Sequence, residues 1–297
     1  MMKPIAIVLA ACGTPATPVQ PSANGAQLSI AADSQLVVVP GGQYILGSTP
    51  EERATAYDEF LSTAGHDGAR TNKWFDREQD RHLEKLGPFR IDLKPVTQVE
   101  YAEFVTAGKA PVPAIDAAAW TKQGFAQDFA TQVARFNWID GRPPHGKEDH
   151  PVVLVTWDEA QAYCAWRGAA VDEPRRLPTK TEFEKASRGD QGFTYPWGNV
   201  FEADKLNSAV AGPGDTTPSG SIAAGASPYG VLELAGNVFQ WTSSPAPEPG
   251  EMLVKGSAWE DFAGLGRGAS GHGRKKTIRH VIVGFRCAAD GEAPPAR

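Results

Sequence analysis

Between Lys255 and the apolar run Val281 to Val283 the chain carries Trp259, Glu260, Asp261, Arg267, Ser270, His272, Arg274, Arg279 and His280 on a segment too rich in glycine to pack against itself. A ligand cleft requires convergent polar groups on a rigid frame, and these side chains could hydrogen-bond a ligand, move protons or hold an ion. The plainer reading is that Arg267 and Arg286 pair with buried carboxylates to organise loops and that His272 is merely exposed. Both readings stand at the level of sequence. His145 and His150, with Glu148 and Asp149 between them, have side chains that a divalent metal accepts, but in a Pro-Pro loop they also read as ordinary solvated residues. Gly268-Ala269-Ser270-Gly271 lacks the spacing of a serine-nucleophile elbow, and no phosphate-cradling glycine motif is present.

Any such cleft needs a frame, and the composition says what kind. With 297 residues, 41% of them hydrophobic and 22% charged, the chain can bury a sizeable core and is neither a collagen, a coiled coil nor a disordered chain. Gly and Pro number 31 and 24, which favours long loops around a modest regular frame over a helical bundle. The net charge of −6, with no basic run longer than Arg274-Lys275-Lys276, argues against a nucleic-acid partner. Leu36 to Val39 and Gln43 to Gly47 flank Pro40-Gly41-Gly42 and read as a hairpin. Phe89 to Leu93, Val152 to Val155 and Val281 to Val283 read as strands. Thr97 with Glu100, Thr156 with Glu159 and Thr179 with Glu182 are capping boxes, each starting a helix. Their buried faces are expected to be Tyr101, Phe104 and Val105, then Ala160, Tyr163 and Cys164, then Phe183 and Ala186. Residues 106–150 and 187–280 read as long, largely irregular stretches, and no internal repeat is evident.

The first residues, Met-Met-Lys-Pro-Ile-Ala-Ile-Val-Leu-Ala-Ala-Cys, place one positive charge and a short apolar run before Cys12. Leu9-Ala10-Ala11-Cys12 resembles a bacterial lipoprotein signal. That resemblance implies cleavage after residue 11, acylation of Cys12 and a lipid anchor in the cell envelope, periplasmic or at the cell surface. Residues 12–34, small, Pro-rich and nearly uncharged, suit a tether.

The body of the chain resembles the formylglycine-generating enzyme, or sulfatase-modifying factor, family. The motifs are Pro40-Gly41-Gly42 with Leu46-Gly47-Ser48, Val96-Thr97 to Tyr101, His150 to Trp157, Ala162 to Trp166, Arg176-Leu177-Pro178-Thr179 to Glu182, Tyr195 to Asn199, Ser227 to Val231, Gly236-Asn237-Val238 with Trp241, and Gly284 to Ala288. Their order implies one C-type-lectin-like α+β domain over 35–290, followed by a disordered tail over 291–297.

The resemblance implies a chemistry and also withholds it. Enzymes of this family oxidise a cysteine of sulfatases to formylglycine with two cysteines that bind copper, since soft thiolates select Cu(I). Aligned on Lys255-Gly256-Ser257-Ala258-Trp259, those two positions are Asp261 and Gly266, neither of which is a thiolate. Copper is therefore not expected. Other relatives, iron-dependent sulfoxide synthases and siderophore-maturation oxidases, keep an oxidoreductase reading open beside that of an interaction module for a protein, peptide or glycan. The family pattern further implies a disulfide between Cys164 and Cys287. It also implies structural calcium at Glu233, Gly236, Val238 and Gln240, and at Asn207 and Ser208 with Asp215 as a less secure ligand.

Overall fold

The computed structural model describes residues 36–291. The expected signal peptide, Cys12, the tether and the tail beyond residue 291 lie outside the described residues.

The first structural unit is a long antiparallel ribbon, and it corrects the expected hairpin. Strand β1 (Leu36–Val39) pairs with β4 (Phe89–Asp92), while β2 (Gly42–Leu46) pairs with β3 (His82–Leu86). Val39 lies opposite Phe89 and Gly42 opposite Leu86, so the two pairings share one register, interrupted where Pro40-Gly41 faces Gly87-Pro88. Proline has no N–H to donate to a ladder, so the ribbon breaks where the two prolines meet. A Cβ on Gly41 would lie 2.8 Å from the Pro88 ring, so only glycine fits beside the break. Strand β9 (Ala288–Asp290) completes a three-stranded sheet in the order β1-β4-β9.

Between β2 and β3 lie two helices that the sequence reading missed, α1 (Pro50–Ala64) and the short α2 (Gly68–Thr71), followed by a 3₁₀ turn over Phe75–Arg77. Helix α1 opens with its own capping box: Thr49 Oγ1 accepts from the Glu52 amide at 3.2 Å, and the Glu52 carboxylate accepts from the Thr49 amide at 2.7 Å. Pro50 at the first turn adds a residue whose missing N–H costs nothing there. The three expected boxes are present at the starts of α3 (Gln98–Thr106), α5 (Trp157–Ala170) and α6 (Lys180–Arg188); α4 (Ala117–Gln123) is capped by Asp116.

A second sheet has the order β7-β6-β5-β8, formed by β5 (Phe239–Pro245), β6 (Glu251–Lys255), β7 (His272–Lys275) and the two-residue β8 (Val283–Gly284), which runs parallel to β5. It brings regular structure into a stretch read as largely irregular. Val152 to Val155 is fully buried, as expected, but is not a strand. Leu154 takes a φ of 61°, off the β region, so the run is held by single bonds to Val96 and His280 instead of a ladder.

The main core joins α3 and α5 to this sheet. Tyr101, Phe104, Tyr163, Trp241 and Phe285 are all buried, with Tyr101 stacked on Tyr163 and edge-on to Phe285. Each such phenylalanine contributes about 1.5–3 kcal/mol by leaving water. The expected bridge lies inside this core: Cys164 of α5 is joined to Cys287, with Cα atoms 5.5 Å apart across 123 residues of sequence. Closing a loop of that size is worth up to about 4–5 kcal/mol in the chain-entropy account. Among the described residues no helix is long and apolar enough to cross a membrane.

Candidate functional site

Strands β6 and β7 form a two-faced ribbon because side chains alternate along a strand. Met252 pairs with Arg274 and Val254 with His272, which places these four on one side, toward the core. There the His272 ring stands edge-on to Phe239 at 5.5 Å and to Trp74 at 6.0 Å. Loss of water around it, helped by the charge of Arg274, pushes its pKa down to about 3, so it is neutral at physiological pH. After β6 the chain makes a turn that Asp261 closes on itself: its amide donates to the Ala258 carbonyl at 3.0 Å and its Oδ2 accepts from the Ala258 amide at 2.8 Å. Burial, with Glu260 adding to it, pushes the Asp261 carboxyl up to about 7, against the opposing pull of Arg274. Glu260 is raised by the same desolvation and accepts from Gln127 Nε2 at 2.8 Å.

Two donors in this cluster lack acceptors. Arg274 gives Nη1 to the Gly273 carbonyl at 3.0 Å, but its buried Nε has no partner, and burial lowers its pKa. Trp259, stacked on Phe136 with centroids 6.3 Å apart, buries an Nε1 without a partner. A carboxyl that titrates near neutrality beside an incompletely satisfied guanidinium can donate or accept hydrogen bonds to a polar ligand. No thiolate is present among these groups.

The other expected site residues are drawn elsewhere. Arg267 is 2% exposed and its Nη1 donates to both oxygens of Glu78, at 2.9 and 3.1 Å, with Ser48 Oγ also donating to that carboxylate at 2.5 Å. Arg279 holds Glu159 and the Leu154 carbonyl, while His280 is buried against Trp120 and Phe125, its pKa pushed down to about 3 by desolvation. Ser270 is buried and donates its amide to the Arg267 carbonyl. His150 turns to the Thr216 hydroxyl at 2.8 Å. Arg267 therefore follows the structural reading. Its partner Glu78 is 189 residues away in sequence, so nothing local could have identified it.

The segment from Asp261 to Gly266 is clamped beneath α1. Phe262 packs edge-on to Phe60, Leu265 joins the cluster of Ala56, Tyr57, Phe60 and Phe75, and the Ala263 amide donates to Thr63 Oγ1 at 3.2 Å. At Gly264, with φ of 87°, a Cβ would lie 2.6 Å from the Ala56 carbonyl oxygen. At Gly266 it would meet only the ordinary to tight contacts of Leu206, Ser257 and Ala235, at 3.3 to 3.6 Å.

Of the two loops with metal-ligand expectations, one has three of its four expected ligands already accepting hydrogen bonds, those of Glu233, Gly236 and Gln240. The Glu233 carboxylate accepts from the Gly220 amide and Asn237 Nδ2, and its carbonyl accepts from Gln240 Nε2 at 2.7 Å and Arg286 at 2.9 Å. The Gly236 carbonyl accepts from the Val238 amide, and Gln240 Oε1 accepts from Arg286 Nε at 2.5 Å. Calcium there would have to displace these bonds beside a buried guanidinium. In the other loop Asn207 Oδ1 is buried without a partner, and a Cβ on Gly212 would lie 2.2 Å from it and 2.6 Å from the Ser208 carbonyl oxygen. An orphaned amide oxygen beside a backbone carbonyl, the latter also accepting from the Gly212 amide at 2.7 Å, is a donor set that suits calcium. Asp215, the third expected ligand, is already held by Lys147 at 2.6 Å and Arg135 at 3.2 Å. Among the described residues no three His, Cys, Asp or Glu side chains are grouped as a metal site.

With this geometry established, comparison with known proteins agrees with the sequence motifs. Residues 25–291 match the sulfatase-modifying factor enzyme 1-like domain. The chain is 31% identical over 311 residues to "Inactive C-alpha-formylglycine-generating enzyme 2" of Mus musculus, covering 90% of both chains. It is also 34% identical over 227 residues to a hercynine oxygenase of Mycolicibacterium smegmatis, covering 72% of this chain and 46% of that protein. Among solved structures, PvdO from Pseudomonas aeruginosa superposes with a TM-score of 0.64 at 18% identity, over 86% of this chain and 94% of that one, a likeness of fold. The chain belongs to the sulfatase-modifying factor family, in its α+β fold.

Proposed function

We propose that the chain is a binding module of the bacterial cell envelope, lipid-anchored through Cys12, which presents the cluster around Asp261 and Arg274 to a protein, peptide or glycan. The observation that carries this reading is the pair Asp261 and Gly266, standing where the family motif places the copper-binding thiols. A hard carboxylate and a glycine offer Cu(I) no soft ligand. Gly266 has no steric conflict that would forbid a small side chain, so the missing sulfur is a chemical difference. Similarity to a mouse protein named as inactive supports the same reading. The test is mass spectrometry of a sulfatase-motif peptide after incubation with copper-loaded protein. The peptide cysteine stays unchanged; appearance of the aldehyde would overturn the proposal.

The similarity to a hercynine oxygenase favours a second reading, a metal-dependent oxidoreductase or maturation enzyme working from a non-thiol site. Stoichiometric copper or iron in the purified protein would select it. Calcium belongs to neither chemistry: we assign it a structural place at Asn207 Oδ1 and the Ser208 carbonyl, where it would fasten the loop that follows.

A further inference from the structure

The opposite face of the β6–β7 ribbon carries a site that the family chemistry does not use. Glu251, Leu253 and Lys255 alternate to that side, with Gly273 paired to Leu253. Against them stands a groove of about 480 Å³, lined also by Arg77, Lys180 and Glu248. It shares Arg77, Lys180, Leu253 and Gly271 with a recess of about 60 Å³ that ends on Lys255 and Glu184.

The charges in this recess do not balance. Lys255 is 4% exposed, and its Nζ donates to Glu184 Oε2 at 3.2 Å and to the Ala269 carbonyl at 3.3 Å, which leaves one of an ammonium's three donors unspent. Glu184 is meanwhile held from behind by Arg188 at 2.7 Å and by the Gly47 amide at 2.8 Å, and Glu78 is taken by Arg267 and Ser48. Arg77 and Lys180 at the rim form no ion pair among the described residues. Three cations, Arg77, Lys180 and Lys255, therefore line the recess with two carboxylates, both already engaged by Arg188 and Arg267. Gly271 and Gly273 make room for the wall's own side chains: a Cβ on Gly273 would lie 2.3 Å from the Glu251 carboxylate, and one on Gly271 3.3 Å from the Lys255 stem. Glu248 and Glu251, also in the wall, would repel a polyanion and accept a neutral or cationic tail.

We propose that this groove binds a small ligand with a single oxyanion head, carboxylate, phosphate or sulfate, seated against Lys255 between Arg77 and Lys180. The site lies on the other side of the ribbon from Asp261 and Arg274, so it stands or falls independently of the function proposed above.

Isothermal titration of the whole chain at fixed ionic strength tests it with three probes: inorganic phosphate, sulfate, and N-acetylglycine against its amide. Saturable binding of phosphate or sulfate alone identifies an ester or inorganic source. Binding of N-acetylglycine, but not its amide, identifies a carboxylate source such as a peptide C-terminus. Either affinity falls about tenfold or more in Arg77→Ala/Lys180→Ala, since each rim cation supplies a charge-assisted bond. Lys122→Ala/Lys275→Ala, on the groove beside α4, leaves it unchanged. Arg77→Gln, a milder change at an exposed position, gives an intermediate loss. Absence of saturation with every probe overturns the site, as does wild-type affinity in the double variant or an equal loss in the control.

Discussion

One ribbon of two strands presents two different chemistries on its two faces. On the core side, His272 and Arg274 stand among Phe239, Trp74, Glu260 and Asp261, where desolvation dominates: an imidazole is driven neutral, a carboxyl is driven toward protonation and guanidinium and indole donors are left without partners. On the outer side Lys255 is equally buried and desolvation likewise lowers its pKa, but a carboxylate accompanies it and opposes that shift, and cations line its rim. Burial alone does not decide the state of a charge. A partner buried with the charge opposes the shift, and the strand period distributes the better and the worse partnered groups to opposite faces.

The sharpest way to break this contrast is to remove one partner of a fully buried pair. Arg267→Ala leaves Glu78 buried and unpaired, for an expected loss of about 3–5 kcal/mol, read as a large fall in the urea midpoint. An Arg267→Ala protein as stable as the wild type would show that the cluster behind the groove is not what holds the α1 segment.

A pH series sharpens the other face. His272 and His280 have folded pKa values of about 3 against an ordinary 6.5, so between those limits the unfolded chain binds more protons, and stability falls as pH is lowered. Asp261 works in the opposite sense. Its folded pKa of about 7 lies above the ordinary 3.8, so the folded chain takes up the proton, and stability rises as pH falls through that window. From pH 7 to 5 the net loss is on the order of 1–2 kcal/mol. In Asp261→Asn, where the opposing contribution of that carboxyl is gone, the loss grows to on the order of 3–4 kcal/mol. Parallel melting curves for the two proteins across this range would remove the assignment.

Calcium should act more weakly, in the loop whose Ala209 amide donates to the Asp261 carbonyl at 2.9 Å. Adding it at about 100 times its dissociation constant stabilises by up to about 2.7 kcal/mol, and Asn207→Ala should abolish the effect. A melting temperature indifferent to calcium after chelation would dismiss the ion. The smallest expected effect is that of Arg77→Ala alone on stability, within about 0.5 kcal/mol, because the side chain is exposed and unpaired. A larger loss would mean that the rim serves the fold.

The features legible in the sequence were those whose partners lie close along it. Thr97, Thr156 and Thr179 each meet a carboxylate three residues on, so hydroxyl and acid could be matched by eye. The same signal stands at Thr49 and Glu52, where it starts the helix that clamps Phe262 and Leu265. The hairpin failed for the opposite reason: β1 and β2 adjoin along the chain, but their partners begin more than 30 residues later. Arg267 and Lys255 are positioned by Glu78 and Glu184, 189 and 71 residues away, and a distance of that kind leaves no local trace. The spacing of the family motifs did carry the overall fold, because it samples the whole chain at once.

The meeting of Pro40 and Pro88 across the first ribbon has a consequence for how the chain finds its fold. Strands that pair with a one-residue slip exchange their buried and exposed faces, and an uninterrupted ladder has little to prevent it. Here a slip in either direction would set a proline opposite a residue that needs its hydrogen bond, and would press a side chain into the space that Gly41 leaves beside the Pro88 ring. The two prolines thus act as an alignment key: the return strand, arriving after α1 and α2, engages in a single register or not at all.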